Sequence, residues 1–126
     1  MNLLLDTHIL IWWATDSSAL PPQCKDLLAD PNNQIFFSSL SIWEVAIKHA
    51  KGLFPISSET LWRESIRAGL LELPFAARHA SKAETLPPIH SDPFDRGLIS
   101  QALEEPLLLV SQDKAIQRYP LQVLSY

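Results

Sequence analysis

The chain has 126 residues, with 14 acids against 10 bases and a formal charge of −4. That length suits one domain spanning 1–126, and 47% hydrophobic residues suit a packed core. The acidic balance excludes a protein that holds nucleic acid by bulk positive charge, and three glycines leave no room for a glycine-rich phosphate loop.

The apolar run Asn2-Leu3-Leu4-Leu5 stops abruptly at Asp6, as a fully buried strand would. Residues 8–14, HILIWWA, are apolar around most of a helix and need cover on more than one side. Pro21-Pro22 open a helical stretch, QCKDLLAD, that stops before Pro31. Residues 34–38, QIFFS, predict a second strand. Ser41-Ile42-Trp43-Glu44 has the form of a capping box and predicts a helix from 41 to 50. A further helix is expected over 58–68, a short strand over 71–73 and a helix over 75–85. Asp92-Pro93 reads as a helix start, with the helix running to about Leu103. Residues 107–110, LLLV, form the clearest buried strand. A short helix, KAIQRY, and an edge strand over 122–124 complete the chain.

Short apolar strands alternating with helices predict an α/β fold, a parallel sheet of about five strands with helices on both faces. No stretch reaches the roughly 20 apolar residues that cross a bilayer. The N-terminus lacks a basic leader, and the lone Cys24 fits a reducing compartment, so a cytoplasmic location with no membrane contact is expected.

In such sheets working residues gather at the carboxyl ends of strands. Asp6 follows the first strand, and Asp113 follows LLLV after only Ser111 and Gln112. Glu44 and Asp95 lie near the starts of helices, so all four acids can point to one sheet edge. Each also has an ordinary explanation as a helix cap or a partner of the helix dipole, and Asp92 before Pro93 is an ordinary N-cap. Together the acids need more, because clustered carboxylates are costly unless cations share the site. Hard divalent ions such as Mg²⁺ or Mn²⁺ suit oxygen ligands, and a pair about 4 Å apart can activate water against a phosphodiester. The four histidines lack zinc-like spacing.

The segments LLLDTHILIWW at 3–13, SIWEVAIK at 41–48, HSDPFDRGLISQA at 90–102 and LLLVSQD at 107–113 resemble the motifs of PIN-domain proteins, the VapC-type toxins of bacterial toxin–antitoxin pairs in particular. The resemblance covers nearly the whole chain in order. It implies a PIN-like fold and a metal-dependent endoribonuclease that cleaves tRNA or rRNA with Mg²⁺ or Mn²⁺. It also implies a cognate antitoxin that inhibits the enzyme, a homodimer, and contact with operator DNA only through the antitoxin. Asp6, Glu44, Asp95 and Asp113 match the family's four acidic positions, as catalytic residues and metal ligands. Asp92 is an extra acid beside the third. On this reading Asp6 and Asp95 are the principal ligands, while Glu44 and Asp113 complete or orient the site.

Lys48, Lys51, Arg96, Lys114 and Arg118 flank these acids and could form a phosphate-binding rim, Arg96 foremost; the alternative is ordinary solvated helix faces. His8 and His90 read as structural. Trp12, Trp13, Trp43 and Trp62 are expected mainly in the core, with the 8–14 helix sending one face out toward a second copy or an antitoxin helix. Two other functions remain open: a PIN-like module that binds RNA or protein without cutting, and a receiver- or phosphatase-like Mg²⁺ domain, which the DTH sequence after the first strand disfavours.

Overall fold

The computed structural model describes residues 1–126. Five strands, β1 (Asn2–Leu5), β2 (Gln34–Ser38), β3 (Leu71–Leu73), β4 (Leu108–Val110) and β5 (Val123–Leu124), form one sheet in the order β3-β2-β1-β4-β5. Every pairing is parallel, with Leu3 opposite Ile35 on one side and Leu108 on the other. The α/β architecture expected from the strand–helix alternation is therefore present.

Six helices connect the strands: α1 (Thr7–Ala14), α2 (Pro22–Ala29), α3 (Ser39–Ala50), α4 (Ser58–Arg67), α5 (Ala77–Ala83) and α6 (Pro93–Glu104). Alternation along β1 explains its unbroken apolar run. Leu3 and Leu5 join a core with Ile9, Leu10, Cys24, Val45 and Leu61 from α1 to α4. Leu4 faces the opposite side and packs with Leu98, Ile99 and Ala102 of α6. A strand covered on both faces needs no polar alternate positions, so all three leucines are fully buried. No helix is long and apolar enough to cross a membrane.

The structure corrects three local expectations. The helix predicted over 41–50 starts at Ser39, and Ser38 caps it by accepting the Leu40 N–H at 3.0 Å. Ser41 is thus inside the helix, where its hydroxyl accepts the Thr7 hydroxyl at 2.9 Å and ties α3 to α1. There is no Ser41–Glu44 capping box. The helix predicted over 75–85 contracts to Ala77–Ala83, its entry fixed by the Ala76 N–H donating to His79 Nδ1 at 2.9 Å. KAIQRY makes only a single 3₁₀ turn, Ile116–Arg118, since Pro120 stops propagation almost at once.

Helices α3 and α6 meet at Gly97, where an added Cβ would lie 2.3 Å from Leu40 Cδ2 and 3.1 Å from the Phe75 ring. The missing side chain lets α6 approach α3 closely. That approach sets Asp95, two residues earlier, beside the α3 face that carries Glu44.

Candidate metal centre

Asp6 leaves the end of β1 with its backbone N–H on Val110 O of β4, at 3.0 Å, so it is pinned at the carboxyl edge of the two central strands. One carboxylate oxygen, Oδ1, accepts the Ile9 N–H at 2.8 Å and caps α1. Burial raises the Asp6 pKa above the ordinary aspartate range, outweighing hydrogen bonds from Ser111 and Ile9 and the charge of His8; the charge of Asp113 raises it further.

Glu44 sits in the second turn of α3, only 2% exposed. Lys48, one turn later, holds its Oε2 at 2.5 Å, while Oε1 is buried with no hydrogen-bond partner at all. An orphaned carboxylate oxygen is expensive in a protein interior, which makes it informative here. Burial works against the charge of Lys48, but the hydrogen bond and charge of Glu44, with the charges of Asp92 and Asp95, outweigh it and raise its pKa.

Asp95 lies in the first turn of α6, behind its N-cap Asp92, whose Oδ1 accepts the Phe94 N–H at 2.8 Å. Burial, then the charge of Asp92, push the Asp95 carboxyl up to about 7; Glu44 and Asp6 add to the shift and His90 opposes it. Asp113 follows β4 and accepts the Ala115 N–H on Oδ1 at 2.8 Å. The caps foreseen for Asp6 and Asp92 are real, yet each uses only one carboxylate oxygen; Asp113 accepts the Ala115 and Ile116 N–H groups on Oδ1, but Ala115 is the N-cap of the 3₁₀ turn and no side chain caps it. Glu44 caps nothing.

The tightest grouping includes a residue that the sequence reading set aside. His90 Nε2 lies 2.9 Å from Asp95 Oδ2 and 3.3 Å from Asp113 Oδ2. One potential ligand atom from each of these three residues falls within 4.8 Å of the others. The available signal was position alone, since His90 opens the segment HSDPFDR that also carries Asp92 and Asp95. Asp6 and Glu44 act on this group through charge, and a cleft of about 220 Å³ beside it is lined by Asp6, His8, Trp12, Gln112 and Asp113.

Arg96 does not face a phosphate rim. Its guanidinium donates to the carbonyls of Ala83 and Pro87, both at 2.9 Å, to those of Leu86 and His90, and to Tyr119 Oη at 3.1 Å. The end of α5 and the segment after it turn several carbonyls toward this guanidinium, and the forked donors of arginine meet several at once. The tryptophans also divide. Trp12 and Trp13 pack partly against the core, whereas Trp43 and Trp62 are 59% and 42% exposed. Trp43 precedes the inward-facing Glu44 on α3 and so points outward. Trp13 lines a separate cavity of about 470 Å³ with Leu20, Leu28, Glu64 and Arg67.

Asp6 and Asp95, whose pKa values burial and then neighbouring acids raise, with a partnerless oxygen on Glu44, fit a hard divalent cation better than any organic ligand. Fold and site together define an α/β protein with an oxygen-rich acidic cluster at the carboxyl edge of a parallel sheet. The chain belongs to the PIN domain family, whose model matches residues 3–121. No curated protein sequence gives a significant match. Among solved structures, the chain is similar to VapBC2 from Rickettsia felis bound to a DNA fragment from its promoter, with a TM-score of 0.74 and 20% identity over 100% of this chain and 99% of that one. It is also similar to DNA-bound VapBC from Salmonella typhimurium, at TM-score 0.71 and 16% identity over 99% and 98%. VapBC-1 from nontypeable Haemophilus influenzae gives 0.65 and 19% over 99% and 98%. At these identities the likeness is one of fold.

Proposed function

We propose that this PIN-domain protein is a divalent-cation-dependent endoribonuclease, the VapC-type toxin of a toxin–antitoxin pair. Asp6, Glu44, Asp95 and Asp113 are its catalytic residues and hold Mg²⁺ or Mn²⁺. The observation that carries the reading is Glu44 Oε1, a buried carboxylate oxygen left without a partner beside acids whose charges already strain one another. A cation bound there would supply Lewis acidity, drawing a proton from water and neutralising charge that builds on the phosphodiester. Around it the chain does the positioning. The Ile9 N–H orients Asp6, Lys48 orients Glu44, and the Ala115 N–H orients Asp113, each through one oxygen.

The substrate is RNA, with tRNA or rRNA as the expected targets, and the chain acts in the cytoplasm as a single catalytic domain. Its proposed partners are a cognate antitoxin, which inhibits it and through which alone it meets operator DNA, and a second copy of itself. The structurally similar VapBC complexes support the antitoxin. Exposed Trp43 and Trp62 and the cavity beside Trp13 supply apolar surface for such contacts.

The test is expression with and without the adjacent small reading frame, mapping RNA cuts against an Asp6→Asn control. Growth arrest with discrete cuts, both absent in the control and both relieved by the neighbouring frame, is expected. Growth arrest without cuts would instead mean an RNA- or protein-binding module that does not cleave.

A further inference from the structure

The cation site of the proposed function leaves His90 without a role, although its ring lies between two of the acids. We infer that His90 is a positioning residue for the cation, acting through the carboxylates of Asp95 and Asp113 and not as a ligand. This inference rests on the cation-site reading.

Tautomer and anchoring support it. The Asp92 backbone N–H donates to His90 Nδ1 at 3.2 Å, so that nitrogen keeps its lone pair inward and the ring proton sits on Nε2. Nε2 faces Asp95 Oδ2 at 2.9 Å and Asp113 Oδ2 at 3.3 Å. A protonated Nε2 offers no lone pair to a metal; it donates to Asp113 Oδ2 and lies against Asp95 Oδ2, between two carboxylates that would otherwise repel. The residue is also fixed in place: its backbone N–H donates to Tyr119 Oη at 2.8 Å, and its carbonyl accepts from Arg96. Tyr119 is itself buried, and Arg96 grips three further carbonyls of the same segment.

The consequence is a division of labour within each carboxylate. His90 sits against Oδ2 of Asp95 and leaves Oδ1 clear of that contact. In Asp113 the Ala115 N–H holds Oδ1 while His90 steadies Oδ2. Outer donors of this kind orient metal ligands, and their loss typically weakens metal binding by about 10–100-fold.

The experiment measures Mn²⁺ binding by the full chain from the electron paramagnetic resonance signal of free Mn²⁺. Pulsed measurements then look for nitrogen-14 directly bound to the ion. Wild type is expected to bind Mn²⁺ with no directly bound nitrogen. His90→Ala should bind it about 10–100-fold more weakly with a nearly unchanged unfolding temperature. His90→Gln, whose amide N–H can reach the same oxygens, should recover most of the loss. A bound-nitrogen signal that disappears in His90→Ala would overturn the proposal by making the ring a ligand. Equal or tighter binding by His90→Ala would overturn it too, and if Asp95→Asn still loses Mn²⁺, the cation site itself stands. Absence of Mn²⁺ binding by wild type, or full binding by Asp95→Asn, would remove that site and this inference with it.

Discussion

The two ends of α6 treat a carboxylate in opposite ways. At the N-terminus Asp95 is half-buried among other acids, and its pKa climbs to about 7. At the C-cap Glu105 is partly exposed and meets His79 Nε2 at 2.9 Å and the Arg78 guanidinium, and its pKa falls below the ordinary range because of those hydrogen bonds. One acid is satisfied by the protein and one is not. A carboxylate that only stabilises a fold resembles Glu105. Asp95 is kept strained, and a ligand that brings positive charge would relieve that strain.

The largest expected effect breaks the strained end. Asp95→Asn should weaken Mn²⁺ binding by more than the roughly 100-fold that outer donors command, as read by titration calorimetry. The same variant should change how stability depends on pH. Folded Asp95 holds its proton to about 7, whereas an unfolded aspartate loses it near about 4. Folding binds a proton between those values, so without added cation the wild type should lose stability as pH rises from about 4 to about 7. Urea unfolding of Asp95→Asn should show a flatter profile there. Glu105 works in the opposite sense, its stabilisation present above the ordinary glutamate pKa and lost as pH falls through its lowered value.

Next comes the contact that brings α6 to α3. Gly97→Val would drive side-chain atoms into Leu40 and Phe75. It should cost about 1–3 kcal/mol in urea unfolding and weaken Mn²⁺ binding as Asp95 and Glu44 separate. The smallest effect belongs to the satisfied end. Glu105→Ala leaves the buried His79 ring N–H without a partner and should cost about 1–2 kcal/mol, with Mn²⁺ affinity within about twofold of wild type. A large loss of affinity in Glu105→Ala would erase the contrast between the two ends.

The sheet was legible because β1 and β4 are short apolar runs ending at an acid or just short of one, and parallel order follows from helices between strands. Asp6 and Asp113 could be placed at one edge for the same reason. Glu44 is expected near the sheet edge from its place early in the helix after β2, and it lies there, in the second turn of α3 and not the first. The ordinary alternative, a capping box with Ser41, fails because Ser38 does the capping and α3 starts two residues earlier than its sequence suggests, while Glu44 is buried. His90 was missed because its role depends on a loop held by Arg96 and Tyr119, contacts that span 6 and 29 residues. Arg96 looked like a phosphate contact for a related reason. Charge is visible in a sequence, whereas carbonyls that a neighbouring segment turns toward it are not.

The central claim is that these acids hold a cation which cuts RNA. Its most direct test is the purified protein incubated with total RNA and Mn²⁺, with a chelator, and as Glu44→Gln. Cleavage at discrete positions is predicted with Mn²⁺, none with chelator, and at least about 100-fold slower cleavage by a Glu44→Gln protein that remains folded. Cleavage that survives the chelator, or equal cleavage by Glu44→Gln, would contradict it.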